Sequence, residues 1–393
     1  MSGLASKSDP AGDAPDSGGS ARLPASAYAA ALAAVPHMNI HRLAALLRGN
    51  RPQQAWRVVR GEAPPVGLIA KVLADREVAA MWRTWASDER PAEMWERCVS
   101  LGVGVTAIGE PDYPACLEHD RQPPAVLFFR GDLQLLAGRR VAIVGTRNAT
   151  ASGRESARQI ASGLAEAGVH VVSGLARGID GCAHSAIAHH PGPGRPIAVV
   201  ASGPDIVYPR EHAALWQAVA SDGLLVTEAP PGTSPEAHRF PLRNRIIAAF
   251  AEVLVVVESR SKGGSLITVT EAMERGVQLM AVPGAPHNRA AAGTNNLLRE
   301  GAAVVVDAQD VLDALPIDHH RSSAAIGEQR SRPRRDDREV YDLCAERPRT
   351  IDGLVAGSGR PLVDVAMAVA RLEHAGWVAQ ADGWFQAVGS PLR

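Results

Sequence analysis

The sequence is nearly empty of lysine: Lys7, Lys71 and Lys262 are the only three in 393 residues, and the other 38 of its 41 cationic side chains are arginine. Against 42 acids the formal charge is −1, which excludes a polybasic nucleic-acid coat but not a local cationic groove, because binding follows the distribution of charge. Cysteine is scarce too. Cys98, Cys116, Cys182 and Cys344 lie far apart with no Cys-x-x-Cys pair, which argues against a disulfide framework and a zinc site and fits a reducing cytoplasm. Aromatics make up 4% of the chain. No apolar run reaches the roughly 18 residues of a membrane helix. Met1 to Ser20 has no basic start followed by an apolar stretch, so no secretory leader is expected. The expectation is a soluble, cytoplasmic protein with no membrane partner.

What is present falls into blocks. At roughly 150 residues per domain the length suits two or three domains. Residues 1–22 are Ala, Ser, Gly, Asp and Pro, and read as a disordered tail. Residues 23–133 read as a helical N-terminal domain and an approach to a sheet. There Ile40, Leu43, Leu46 and Leu47 recur at helical spacing, and Trp82, Trp85 and Trp95 suit core better than a base-stacking platform.

From Arg140 the rhythm changes. Short apolar runs (141–144, 169–172, 197–200, 224–227, 253–257, 279–282 and 303–306) alternate with helical segments. That alternation predicts an α/β domain over 134–315, a Rossmann-like parallel sheet with helices on both faces. A flexible linker over 316–336 follows, in which His319-His320 reads as solvated chain rather than a metal site.

Residues 337–393 read as winged-helix-like: helices over Val340–Ala345, Ile351–Val355 capped by Thr350, and Leu362–His374. Two strands then flank an Asp382-Gly383 turn. From Arg338 onward there are six arginines and seven acids, so a protein-binding or regulatory role fits this block better than duplex reading.

Ligands of an open parallel sheet bind beyond the carboxyl ends of its strands, so the loops there carry the functional reading. Gly145-Thr146-Arg147 follows the first run without the three glycines of a dinucleotide fingerprint, and no acid ends the second run; NAD is disfavoured. Arg147 is either a phosphate ligand on a glycine turn or a plain surface arginine. Ser173, Gly174, Arg177 and Gly178 make a plausible anion nest, in which Asp180 and His184, one helical turn apart, support each other rather than perform acid–base chemistry. Tyr208, before Pro209-Arg210, either stacks on a base or packs its own loop.

The stretch 239–245 holds Arg239, Arg243 and Arg245 with Phe240 and no acid. It suits a single strand, unless it is only the solvated first turn of a helix. Lys262-Gly263-Gly264-Ser265, with Thr268, offers charge, close backbone approach and hydroxyls at another helix start. It is not a Walker A loop, so ATP hydrolysis is not expected. Residues 140–314 carry 15 cations and 16 acids, yet Arg147, Arg177, Arg210, Arg243, Arg245 and Lys262 all fall in loops expected on one sheet edge.

This ordered series, Val144-Gly145-Thr146-Arg147, Ser173 to Asp180, Tyr208 to Glu211, Phe240 to Ile247, Gly264 to Thr268, Val282-Pro283-Gly284 and Gly293-Thr294-Asn295, resembles the DNA-processing protein A family (DprA, also called Smf). The likeness spans about residues 105–314. It implies a cytoplasmic protein that binds single-stranded DNA in natural transformation, shields the incoming strand, helps load the recombinase RecA and acts as a homodimer. It implies no catalytic residue, metal or cofactor. Its cationic DNA pocket falls here on Arg147, Arg210, Arg243 and Lys262, with Asn244 and Arg245 as adjacent candidates.

Two other readings compete. A nucleoside-monophosphate phosphoribohydrolase of the LOG type keeps a T-x-x-E, met here as Thr268 to Glu271, although its glycine spacing is not matched. A protein-binding adaptor without DNA affinity is the other.

Overall fold

In the computed structural model, residues 23–315, 333–334, 337–346, 348–375, 377–381 and 383–387 are described. The tail expected over 1–22 and nearly all of the 316–336 linker lie outside them. The described residues form two compact units, one ending at Leu315 and one after it.

The first unit opens with six helices: α1 (Ala25–Ala33), α2 (Ile40–Leu47), α3 (Pro52–Arg60), α4 (Gly67–Leu73), α5 (Arg76–Trp85) and α6 (Arg90–Ser100). Side-chain caps start two of them, Asn39 accepting from Arg42 N and Asp75 from Glu77 N, each at 2.9 Å. Trp82 is fully buried and donates its indole N–H to Pro36 O at 3.0 Å, while Trp85 and Trp95 pack half-buried on the same cluster. All three serve the core.

A nine-stranded sheet follows, in the order β1-β2-β6-β5-β4-β3-β7-β8-β9. Its strands are β1 (Gly104–Ala107), β2 (Val126–Gly131), β3 (Arg140–Val144), β4 (His170–Ser173), β5 (Pro196–Val199), β6 (Leu224–Thr227), β7 (Val253–Val256), β8 (Gln278–Ala281) and β9 (Ala303–Val304). The seven strands β3 to β9 run parallel, where the sequence puts them. The first two differ from expectation: β1 and β2 pair antiparallel with each other, and β2 antiparallel with β6, so the segment read as an approach is sheet. The sheet is mixed and mostly parallel. β2 lies beside α10 as well as β6, and its inward Val126 and Phe128 join the N-terminal helices to the sheet.

Alternation along each strand divides the core. Ala142, Val144, Leu254 and Val256 face α11 (Arg239–Phe250), α12 (Ser265–Met273) and α13 (Ala292–Arg299). Val141, Ile143, Val253 and Val255 face α8 (Ala151–Glu166), α9 (Ile179–Ile187) and α14 (Ala308–Ala314). A short α7 (Ala115–Glu118) and α10 (Ala213–Asp222) complete the layers. The chain runs from β3 through β4, β5 and β6 toward one edge. It then returns to β7 on the other side of β3 and continues through β8 and β9. The crevice beyond the carboxyl ends of β3 and β7 is therefore the topological switch point, where such sheets take ligands.

The second unit holds α15 (Arg338–Glu346), β10 (Arg349–Thr350), α16 (Ile351–Ser358), α17 (Leu362–His374), β11 (Val378–Ala381) and β12 (Trp384–Ala387). The three strands form one sheet, β10-β12-β11, over a core that includes Tyr341, Leu354, Val365, Leu372 and Trp377. Thr350 caps α16, accepting from Gly353 N at 3.3 Å. No single helix among the described residues is long and apolar enough to cross a membrane.

Candidate nucleic-acid interface

At the switch point lies a cleft of about 620 Å³. Its walls are the β3–α8 loop (Gly145, Thr146, Arg147), the first turns of α11 (Phe240, Arg243, Asn244), and the β7–α12 loop with the start of α12 (Arg260, Lys262, Gly263, Gly264, Ser265, Thr268). A narrower recess continues from it past Gly174, Arg177, Tyr208 and Phe240. Strand order thus brings the β3–α8 loop beside two segments that begin 93 and 113 residues beyond Arg147.

The β3–α8 loop is fixed from below. Glu258, 4% exposed at the end of β7, accepts from Thr150 N and Thr150 Oγ1, both at 2.8 Å, and its carbonyl accepts from Thr146 N at 2.7 Å. The start of α8 is therefore occupied by the protein's own carboxylate, which complements the helix dipole there. Instead of offering that helix start to a phosphate, the loop holds Arg147 out over the cleft. The Arg147 guanidinium stacks on the Phe240 ring at 5.0 Å, and Phe240 leans on Tyr208 at 5.3 Å between ring centroids. At an exposed site such a cation–π contact contributes about 0.5–1 kcal/mol, enough to orient the side chain without locking it.

The cations in this region are of two kinds. Arg147, Arg260 and Lys262 are exposed and form no ion pair among the described residues. Arg177 is exposed but ion-paired with Glu211. Arg243 lines the cleft from below, 6% exposed. Its Nη1 donates to Gly174 O at 2.8 Å and to Val199 O, which ties the β4–α9 loop to the end of β5. Burial lowers its pKa to about 10, against the favourable charge of Asp180.

Arg245 departs from the sequence expectation. It is 3% exposed, and its Nη2 donates to both oxygens of Glu228 at 2.6 Å on the far side of α11. Helical geometry is the reason. Phe240, Arg243, Asn244 and Ile247 share one face, whereas a residue two beyond Arg243 lies about 200° around the axis. Counting charge along the chain merged two faces.

The other expected residues sort as follows. Gly145, Thr146, Gly263, Gly264, Ser265 and Thr268 line the cleft, and Gly174 and Arg177 line the recess. Ser265 Oγ is engaged by Ser259 Oγ at 2.9 Å. Arg210 is exposed in the turn after Pro209 but lines neither cavity. Ser173 is buried, donating to Ile143 O at 2.6 Å. Gly178 shapes the loop rather than the cavity: its φ is +76°, and a Cβ there would meet Thr146 O at 2.2 Å. Asp180 does not pair with His184. It accepts from Gly174 N at 3.2 Å, and burial raises its pKa while Arg243 opposes the rise. His184 is fully buried, and burial lowers its pKa to about 4, so the ring is neutral at pH 7.

Arg260 was missed by sequence reasoning. Its signal was position, two residues before Lys262 in the same loop. Glu271, the acid of the hydrolase alternative, binds Arg275 at 2.6 Å and lines a different cavity, outside the cleft.

A family model described as DNA recombination-mediator protein A matches residues 104–316. The DNA processing protein DprA of Bacillus subtilis (strain 168) is 41% identical over 216 residues, covering 55% of this chain and 72% of that protein. Protein Smf of Synechocystis is 32% identical over 371 residues, covering 84% of this chain and 90% of the relative. The X-ray structure of DNA processing protein A from Streptococcus pneumoniae superposes with a TM-score of 0.63 at 29% identity. It covers 74% of this chain and 98% of that one.

Proposed function

The chain belongs to the DNA recombination-mediator protein A family, and from that membership we propose that it processes DNA in transformation by binding a single strand in the switch-point cleft. One observation carries the reading: three exposed cations without an ion pair among the described residues, Arg147, Arg260 and Lys262, line one cleft with an aromatic pair, Tyr208 and Phe240. Cations meet phosphates, and an aromatic face takes an unstacked base, which a strand offers and a duplex does not. Arg243 and Asp180 serve as the frame beneath, and Arg245 supports α11. With few aromatics present, phosphate contacts dominate and base preference is weak.

The finer role follows from the family resemblance: a cytoplasmic, non-catalytic homodimer that shields the incoming strand and helps load RecA. Titrating the protein with labelled oligo-dT and with duplex of equal length, at two salt concentrations, tests the binding claim. Tighter, salt-sensitive binding of the single strand is expected, with loss of affinity in Arg147→Ala and Lys262→Glu. Equal or absent binding of both DNAs contradicts it. RecA loading is read separately, as faster RecA filament growth on DNA precoated with a competing single-strand binding protein.

A further inference from the structure

A second, larger cleft of about 1110 Å³ lies within the first unit and shares no lining residue with the DNA cleft. It is walled by the outer flank of α11 and α12, the α2–α3 turn and the segment that leads into α4. Two features distinguish it. Its rim carries large apolar side chains that the fold leaves in water: Val66 is 70% exposed, Leu68 44% and Ile108 36%. Its charges are also incompletely matched.

Arg275 is saturated by Asp120 at 2.7 and 3.1 Å and by Glu271 at 2.6 Å, and Arg121 is paired with Glu274. Arg245 is not saturated. Only its Nη2 reaches Glu228; Nε and Nη1 are buried and have no acceptor among the described residues. A buried guanidinium with two nitrogens left without acceptors is costly, because their lost hydration is not repaid. Arg48 and Arg51, exposed about the α2–α3 turn, form no ion pair among the described residues, and neither does the half-buried Glu110 of the same lining. The balance of free charge is positive.

We propose that this cleft binds a small amphipathic oxyanion, a carboxylate- or phosphate-bearing molecule with an apolar body. Its head group supplies acceptors to Arg48 and Arg51 and to the unmatched nitrogens of Arg245, and its body covers the Val66, Leu68 and Ile108 rim. Concave sites that combine apolar side chains with polar groups are the usual form of a small-molecule site, and this cleft is slightly above the usual size range of about 300–1,000 Å³. The site is independent of the DNA reading.

The probe is 1-anilinonaphthalene-8-sulfonate with the full-length protein, followed by fluorescence and competed with monomeric decanoate, decyl phosphate, decanol and inorganic phosphate. Saturable binding is expected, displaced by decanoate or decyl phosphate but not by decanol or inorganic phosphate. Which of the two decyl anions competes at lower concentration identifies the head group. Arg48→Ala with Arg51→Ala, and separately Leu68→Asp, weaken binding about tenfold, the effect of losing one charge-assisted contact or one apolar anchor. All three positions are exposed, so the variants keep the wild-type melting temperature and oligo-dT affinity. Saturating oligo-dT leaves probe binding unchanged. Non-saturable fluorescence, equal binding in the variants, or displacement by oligo-dT overturns the proposal.

Discussion

Salt dependence separates the cations that face a bound strand from those that hold the fold. Each phosphate neutralised on a single strand adds about −0.7 to the slope of log K against log salt. Three exposed cations in the cleft, Arg147, Arg260 and Lys262, have no ion pair among the described residues. Three contacts give a slope of about −2.1, a loss of about 20-fold in affinity between 50 and 200 mM salt. Removing one, as in Arg147→Ala or Lys262→Ala, flattens the slope to about −1.4 and the loss to about 7-fold.

Phe240→Ala behaves differently. It lowers affinity by the stacking contribution, about 1–3 kcal/mol, and leaves the slope unchanged. Arg245→Ala strands Glu228 without its partner and costs about 3–5 kcal/mol of stability, again with no change of slope at temperatures where the protein stays folded. Fluorescence anisotropy on labelled oligo-dT at four or five salt concentrations, with urea denaturation in parallel, measures all of this. A slope change in Arg245→Ala as large as in Arg147→Ala would refute the division into facing and framing arginines.

Three further outcomes follow from the loops. Glu258→Ala removes both acceptors of Thr150, frees the β3–α8 loop and weakens oligo-dT binding without removing a cation; anisotropy shows lower affinity at unchanged salt slope. Gly178→Ala places a Cβ against Thr146 O at a positive φ and lowers stability by about 1–3 kcal/mol or more in urea unfolding. His184 has a folded pKa near 4 against an ordinary 6.5, so the unfolded chain binds the extra proton. Its contribution is whole above pH 6.5 and is lost as pH falls toward 4, up to about 3 kcal/mol. Asp180, raised by burial, has the opposite sign, losing stability as pH rises through its folded pKa. The difference in unfolding free energy between wild type and His184→Leu, measured from pH 4 to 7, isolates the histidine; a flat difference contradicts its burial as a neutral ring.

The central parallel strands β3 to β7 were legible because they are buried on both faces and so read as short, nearly continuous apolar runs. β1 and β2 were not. Val126 to Phe129 follows two prolines and lies far from the alternating pattern, and its pairing with β6 is a contact across about 100 residues that no local signal encodes. The same limit applies at the site. The glycines and cations of the loops after β3 and β7 marked them as candidates, and strand order sets them side by side along one cleft. What a linear reading could not supply was direction. Arg243 and Arg245 are near neighbours in sequence, yet one lies under the cleft and the other faces a buried glutamate. Glu258 gave no sign that it would fill the start of α8, because its partner Thr150 is 108 residues away.

The central claim is that a single strand lies in the switch-point cleft with a base against the aromatic pair. Photocrosslinking with oligo-dT carrying 4-thiothymidine, followed by peptide mass spectrometry, tests it most directly. Adducts are expected on Tyr208 or Phe240 and on the loops bearing Arg147 and Lys262, abolished by excess unlabelled oligo-dT. Adducts confined to residues 337–387 or to the N-terminal helices, with none in the cleft, would contradict it.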